Sequence, residues 1–181
     1  MLEGAVTLIF IKDFTGSGAT RYFIKTADVL REICAEELGA IDSYIICHDF
    51  WLIKDELGGA GNLPGKVFDL DEVHAIVAQK RNLREQRERQ GIALKIPASM
   101  IEPEILDAYV AIVERRKLVD ISVIESACNG LAAYAQSLLA MAEINDELTR
   151  LKEVELPLFN MLIAHSSAGI CVNTDRIREA R

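Results

Sequence analysis

The sequence lacks the features of secreted, membrane-spanning and cofactor-binding proteins. No apolar run reaches the roughly 18 residues that a transmembrane helix needs, and the N-terminus has no basic flank or cleavage pattern of a signal peptide. Neither a His-Glu-x-x-His motif nor a glycine loop ending in Gly-Lys-Ser or Gly-Lys-Thr occurs. We therefore expect a cytoplasmic protein without a membrane partner, a bound cofactor or a metal ion.

Cysteine is scarce, and its spacing argues against a disulfide framework. The four cysteines are far apart in the sequence, without the paired spacing of disulfide-rich domains or zinc sites: Cys34, Cys47, Cys128 and Cys171. We interpret them as buried free thiols in a reducing compartment.

Basic residues are also in short supply. The chain of 181 residues carries 20 lysines and arginines against 28 aspartates and glutamates, which gives a net charge of −8. An acidic chain has no general attraction to a phosphate backbone, so we do not expect this segment to be a main nucleic-acid contact. The arginines between residues 81 and 89 are interspersed with glutamates, which is typical of a solvated helix face.

The first half of the sequence alternates between strand and helix patterns. The predicted strands cover residues 5–11, 20–24, 44–47 and 67–68. Helices are predicted over residues 26–39 and 50–57, and a third begins at Asp69, which forms a capping-box pattern with Glu72. This order predicts an α/β fold with a small mixed sheet flanked by helices.

From Pro103 onward the apolar positions recur at helical spacing. One helix begins at Pro103, and Asp120 caps a longer one that extends toward Leu151. Pro157 lies in the first turn of a further helix, where its missing N–H is tolerated, and Gly169 ends that helix. We expect a helical C-terminal half, with three of its apolar residues in the core: Ile105, Leu131 and Leu138.

The segment around Pro157 resembles a domain junction of family A DNA polymerases, the bacterial repair-polymerase type. In that family, Glu-x-Pro-Leu, a helix, Gly-Ile and then Val with Asp or Asn lead from the 3′–5′ exonuclease domain into the polymerase thumb. The matching residues are Glu155, Pro157, Leu158, Gly169, Ile170, Val172 and Asn173. Further landmarks of the exonuclease domain match upstream, in order, at residues 22–24, 48–50, 57–58 and 67–69.

This resemblance implies a ribonuclease H-like exonuclease fold. Residues 1–150 would be the exonuclease-like domain, and residues 151–181 would be the truncated start of the polymerase domain. The implied partner is the polymerase domain of the same chain, and DNA would be contacted through that parent polymerase.

The metal ligands that the family uses are missing from this sequence. In the family, two metal ions held by four carboxylates activate water and stabilise the leaving oxygen, and such hard cations need oxygen ligands. The Asp-x-Glu of the first strand is absent: if residues 5–11 were that strand, only Asp13 could replace its second acid. We interpret residues 5–11 as the family's second strand instead, with the motif strand missing. Ile53 and Gly130 occupy the positions of two other metal-binding aspartates. The resemblance therefore implies an inactive domain with no catalytic, cofactor-binding or metal-binding residues.

Two other functions are compatible with the sequence. One is an active metal-dependent 3′–5′ exonuclease with atypical ligands, drawn from Asp13, Asp49, Asp55 and Asp69. The other is an acidic α/β regulatory or interaction domain that is unrelated to nucleic acid. The pair His48-Asp49 at a strand end is interpreted as a cap rather than as a proton-transfer pair. The interpretation that we carry forward is a structural platform within a DNA-directed DNA polymerase of replication or repair.

Overall fold

Five strands form one mixed sheet. The computed structural model describes residues 2–11, 20–57, 62–77 and 120–168. The strands are β1 (Val6–Ile11), β2 (Arg21–Lys25), β3 (Leu30–Ile33), β4 (Ile45–Cys47) and β5 (Val67–Asp69). They lie in the order β3-β2-β1-β4-β5, with β2 antiparallel to both of its neighbours and with β1, β4 and β5 parallel. The predicted α/β class and mixed sheet are confirmed.

One short helix lies between the third and fourth strands, and the other described α-helices follow the last strand. They are α1 (Ala35–Gly39), α2 (Leu70–Val77), α3 (Ile121–Ile144), α4 (Leu148–Arg150) and α5 (Leu156–Ala168), with 3₁₀ turns at Phe50–Leu52 and Lys54–Leu57. Asp120 caps α3 as predicted, because its side chain accepts the N–H of Ser122 at 3.0 Å. The predicted helix at Pro103, with Ile105, lies outside the described residues. None of the described helices has both the length and the apolar character needed to cross a membrane.

Alternate residues of the strands contribute to two apolar cores, one on each face of the sheet. The first core joins Ile9 and Phe68 to residues of α2 and α3, and it contains Leu131 and Leu138 as predicted. The second core joins Leu8 and other strand residues to α1, the 3₁₀ turns and α5. The separation follows from the period of two along a strand, which sends successive side chains to opposite faces.

The helical segment from residue 148 to residue 168 passes around the β5 edge of the sheet. Its early residues Leu151 and Leu156 are buried in the first core, whereas Phe159 and Ile163 belong to the second. A π-helical turn, Leu151–Glu155, lies between α4 and α5, and the N–H of Leu156 reaches the carbonyl of Leu151. A wider turn at this point fits the proline that follows, because Pro157 lacks an N–H and its ring crowds the preceding turn.

Asn160 attaches this segment to β5, one of the two edge strands of the described sheet. Its Oδ1 accepts the N–H of Val67 at 2.7 Å, and its Nδ2 donates to the carbonyls of Val67 at 3.4 Å and Leu156 at 2.8 Å. The side-chain amide of Asn160 thus satisfies the backbone N–H and C=O of Val67, which a neighbouring strand would otherwise have to bind.

Three elements differ from the sequence prediction. The helix predicted over residues 26–39 is a hairpin strand followed by the short α1, and a turn from Thr26 to Val29 connects β2 to β3. The helix predicted over residues 50–57 consists of two 3₁₀ turns. The long helix ends at Ile144 instead of continuing toward Leu151, because Asp146 adopts a left-handed backbone with φ of 58°.

The cysteines follow the prediction in part. Cys47 and Cys128 are free and buried, whereas Cys34 is free and exposed. Cys171 lies outside the described residues. Burial raises the pKa of the Cys128 thiol to about 12, which keeps it protonated and unreactive near neutral pH.

Candidate functional site

The carboxyl ends of the parallel strands place several polar residues together. Cys47 ends β4 and Asp69 ends β5, and these two residues are directly paired in the sheet. The chain continues from β4 into His48 and Asp49 and from β5 into α2. In open α/β sheets, ligands bind outside the carboxyl ends of the strands, so a ligand-binding site is expected at this edge.

Asp69 organises this edge. Its carboxylate accepts the N–H groups of Phe50 at 2.6 Å and Asp49 at 3.3 Å, both in the loop that follows β4. It also accepts the N–H groups of Asp71 at 2.9 Å and Glu72 at 3.4 Å, which lie in the first turn of α2. The predicted role of Asp69 as a helix cap is confirmed, and the same side chain also holds a loop about 20 residues earlier in the chain.

Burial strongly affects the titrating groups at this edge. The Asp69 side chain is wholly buried. Loss of solvent raises its pKa to about 7, the amides of Phe50 and Asp71 lower it, and the charges of Asp71 and Asp49 raise it. The pKa of the Cys47 thiol is raised by burial and then by Asp69 and Asp49. For both Asp69 and Cys47, burial is the largest effect on the pKa, and it opposes the negatively charged form.

The pair His48-Asp49 does not act as the predicted side-chain cap. Asp49 stands at the cap position of the first 3₁₀ turn, but its side chain makes no capping hydrogen bond there. Its backbone is left-handed, with φ of 55°, and this conformation aims the N–H of Phe50 at Asp69. Asp is among the few residues that adopt this conformation at modest cost.

The two positions that the resemblance assigns to metal-binding aspartates are both buried and carry no acidic side chain. Ile53 is fully buried in the second core, so an apolar side chain occupies the position that the resemblance assigns to an aspartate. Gly130 is buried within α3, whose neighbouring residues Cys128 and Leu131 pack in the first core. Among the described residues, no three His, Cys, Asp or Glu side chains form a group that could hold a metal ion.

The atypical ligands of the nuclease alternative form no metal site among the described residues, although the N–H of Asp49 lies 3.3 Å from a carboxylate oxygen of Asp69. Both carboxylate oxygens of Asp69 already accept backbone N–H groups. Asp55 is exposed in the second 3₁₀ turn, where it forms an ion pair with Lys54 at 2.5 Å. Asp13 lies outside the described residues.

β1 lies in the centre of the sheet, antiparallel to β2 and parallel to β4. The interpretation of residues 5–11 as the family's second strand depends on the resemblance and stays a prediction. β1 holds the central position, and its sequence Val-Thr-Leu-Ile-Phe-Ile contains no acidic residue.

A second buried polar pair joins α2 to α3. The Tyr134 hydroxyl and the Nδ1 atom of His74 form a hydrogen bond of 2.5 Å, and both residues are buried. Burial, followed by the nearby charge of Asp71, raises the pKa of Tyr134, which keeps the phenol neutral. Sequence reasoning did not single out this pair, because the two residues are 60 positions apart. Its evident effect is to hold the two helices together.

The outward side of α5 is apolar and exposed. Leu158, Met161 and Leu162 have 43%, 59% and 46% of their surfaces exposed, and Val154, one turn earlier, has 53%. These residues follow the i, i+3 and i+4 spacing of one helix face. We call the surface formed by Leu158, Met161 and Leu162 the α5 outer face. The opposite side of α5 carries Phe159 and Ile163 into the second core, so α5 is apolar on two sides.

The sheet and the polar residues at its carboxyl edge define the structural class of this protein. The molecule is a mixed α/β protein with helices on both faces of the sheet and a buried aspartate at the carboxyl edge. No protein-family model matches the chain, and no match was found among curated proteins or solved structures.

Proposed function

We propose that this chain is a non-catalytic, ribonuclease H-like exonuclease domain of a family A DNA polymerase. Its task is architectural: it supports the polymerase domain of the same chain during replication or repair in the cytoplasm. DNA is contacted through the parent polymerase and little or not at all through this acidic segment.

The strand arrangement supports the fold in this proposal. A mixed sheet in the order β3-β2-β1-β4-β5, with helices on both faces, is compatible with the α/β exonuclease fold that the resemblance implies. The central strand β1 contains no acidic residue. Its apolar sequence, together with the buried Ile53, supports the absence of metal-dependent catalysis.

The observation that carries the proposal is the α5 outer face. The segment from residue 148 to residue 168 is fixed to the sheet by buried residues of both cores and by Asn160, so it is a rigid part of the molecule. It still exposes Leu158, Met161 and Leu162 side by side. Contiguous exposed apolar residues mark interaction sites. This segment is also where the resemblance places the passage into the polymerase domain.

The non-catalytic part of the proposal predicts a negative nuclease assay. Purified protein is expected to remove no 3′ nucleotide from single-stranded or mismatched DNA with Mg²⁺ or Mn²⁺. The reason is that the described residues contain no cluster of ligands for the metal ions that would neutralise the charge on the leaving 3′ oxygen. The measurement is the length of an end-labelled oligonucleotide, resolved nucleotide by nucleotide over time.

Matched variants separate true activity from contamination. Asp13→Asn, Asp49→Asn and Asp55→Asn are purified and assayed in the same way as the parent protein. Metal-dependent digestion that disappears in any of these variants would establish the nuclease alternative and reject the platform. Digestion that is equal in all four preparations comes from a contaminating enzyme.

The platform part predicts a role for the α5 outer face. The reading frame is expected to continue past the codon for Arg181 into polymerase motifs, and the longer chain is the protein to test. Replacing Leu158, Met161 and Leu162 by Gln keeps helix propensity nearly constant. In the 181-residue chain each of these surface changes is expected to alter the free energy of unfolding by no more than about 0.5 kcal/mol. In the longer chain they are expected to separate one calorimetric transition into two.

The control for this experiment changes polar residues of the same helical segment. Lys152→Gln and Glu153→Gln are exposed, and we expect the longer chain to keep a single transition when they are changed. A triple variant that unfolds like this control would show that no domain packs on the α5 outer face. The interaction-domain alternative would then be favoured.

A further inference from the structure

The segment of residues 148–168 is joined to the rest of the molecule by a short turn. α3 ends at Ile144 and α4 begins at Leu148, so the turn consists of residues 145–147. The first two residues of the turn are exposed, and the third is half-buried. The segment beyond the turn is held by the side chains that it inserts into the two cores and by Asn160. The turn therefore contributes little packing, but it sets the direction in which the segment leaves α3.

Two backbone hydrogen bonds and one left-handed residue close this turn. The N–H of Asp146 donates to the carbonyl of Glu143 at 3.1 Å, and the N–H of Glu147 donates to the carbonyl of Ala142 at 2.8 Å. Asp146 has φ of 58°. This is the pattern of the Schellman motif, in which glycine is the usual left-handed residue. Aspartate accepts that backbone better than most residues but less well than glycine, so the closed turn is only weakly favoured.

The sequence around the turn is also compatible with a continuous helix. A straight helix through residues 145–147 would exchange the two Schellman bonds for ordinary bonds from each N–H to the carbonyl four residues earlier. It would also align Met141, Ile144 and Leu148 on one helix face. With the turn closed, Ile144 is 84% exposed. One molecule with a closed turn therefore leaves a large apolar side chain in solvent at this point.

We propose that residues 145–147 are a domain-swapping hinge: with Asp146 left-handed, the segment of residues 148–168 packs on its own sheet, and with Asp146 helical, it packs on the sheet of a second copy. A straight helix carries the segment away from its own β5, and both cores of that molecule are then incomplete. The segment of a second copy has the same residues and completes them. Reciprocal exchange gives a closed twofold dimer.

A second copy is the partner that fits, because the exchange keeps the contacts of the segment. Four buried apolar side chains, two in each core, enter the same sites on the other copy. The hydrogen bonds between Asn160 and Val67 form again between the copies. The two hinges lie side by side where the segments cross, which brings the Ile144 side chains of both copies together. Burial of these two side chains is a gain that one molecule lacks.

The test makes the helical hinge more favourable by the substitution Asp146→Ala. Alanine disfavours a left-handed backbone and is the best helix former. At about tenfold for each of the two hinges, the association constant of the dimer is expected to rise about a hundredfold. The parent chain and the variant are unfolded in urea and refolded over one range of protein concentrations, and light scattering measures the molar mass. The concentration at which half of the chains are dimeric is expected to fall about a hundredfold in the variant.

Three further variants separate backbone conformation from charge and from packing. Asp146→Asn removes the charge but keeps a residue that accepts the left-handed backbone, so its midpoint concentration is expected to equal that of the parent. Asp146→Gly favours the Schellman turn and disfavours the straight helix, so its midpoint is expected to rise. Adding Ile144→Gln to Asp146→Ala is expected to weaken the dimer while leaving the monomer as stable as before, because Ile144 is exposed there.

Mixed chains distinguish segment exchange from any other dimer. Isotope-labelled and unlabelled Asp146→Ala chains are unfolded together and refolded. In an isotope-filtered NOE spectrum, the Val67 amide of labelled chains is expected to contact the Asn160 side chain of unlabelled chains. The parent chain, refolded near its solubility limit, is expected to show the same contact for its dimeric fraction.

Two results would overturn the hinge. One is an Asp146→Ala variant that stays monomeric at every concentration up to its solubility limit. The other is a dimer in which the contact between Val67 and Asn160 remains within one chain, as it would if two copies met through the α5 outer face. If Asp146→Ala does not fold, the filtered spectrum of the parent chain decides, and the absence of the contact between copies rejects the exchange.

Discussion

A chain shortened to end at Arg150 is expected not to fold. The removed segment contributes four buried apolar side chains, two in each core: Leu151, Leu156, Phe159 and Ile163. At about 1.5–3 kcal/mol for each, their burial is worth about 6–12 kcal/mol. The total stability of a domain is about 5–15 kcal/mol, so this loss is comparable to the whole. Circular dichroism and a urea titration would show the absence of a cooperative transition.

A chain ending at Ala168 is the control, since it keeps every described residue. It is expected to unfold cooperatively like the full chain. A milder comparison is Asn160→Ala, which leaves the Val67 N–H without its acceptor and is expected to cost about 1–3 kcal/mol. If the chain ending at Arg150 unfolded cooperatively, the packing of the C-terminal segment on the sheet would not matter for folding.

This result bears on the predicted division at residue 150. The division follows the resemblance and stays a prediction, but residues beyond it complete both cores. A polymerase domain that begins there would be attached through a buried joint rather than a flexible linker. Such a joint suits an architectural role, because it fixes the direction in which the α5 outer face points.

The strand pattern could be predicted from the sequence wherever an apolar run was continuous. The four predicted strands correspond to β1, β2, β4 and β5, but β3 was predicted as helix. Val29, Leu30 and Ile33 have spacing compatible with a helix, and local spacing does not reveal a partner strand. The hairpin is stabilised across strands, for example by the two hydrogen bonds from Arg21 to Glu32 at 2.6 Å.

The sequence contains a signal for the end of α3, but the helical spacing of the apolar residues led to the prediction of a longer helix. Asn145 and Asp146 interrupt the apolar stripe, and Asn and Asp are the residues that most readily adopt the left-handed conformation seen at Asp146. Asn160 was also visible as a lone polar residue within an apolar helix. Its partner Val67 is 93 positions away, so its role required the fold.

The candidate site could be predicted only in its local part. Asp69 as a helix cap follows from residues two and three positions later, which the sequence shows directly. The hydrogen bond that Asp69 accepts from the N–H of Phe50 depends on the pairing of β4 with β5, which local sequence does not reveal. The raised pKa of Asp69 has the same origin, since its first cause is burial beneath elements from separate parts of the chain.

Truncating Leu138 to Ala is expected to cost about 2–5 kcal/mol of unfolding free energy. Leu138 is fully buried near the end of α3 and belongs to the first core. Its removal leaves a cavity in addition to the lost burial, and α3 packs across β1, β2 and β4, which limits how far it can relax. Urea unfolding at a constant slope would measure the loss.

The neighbouring residue Gln136 provides a matched control on the same helix. It is exposed, so Gln136→Ala is expected to change stability by no more than about 0.5 kcal/mol. Leu138→Met keeps most of the volume and is expected to cost less than about 1.5 kcal/mol. A loss below about 1 kcal/mol for Leu138→Ala would mean that this side of α3 is not packed against the sheet. The first core would then lack its central helix, and a platform built on that core would have no rigid base.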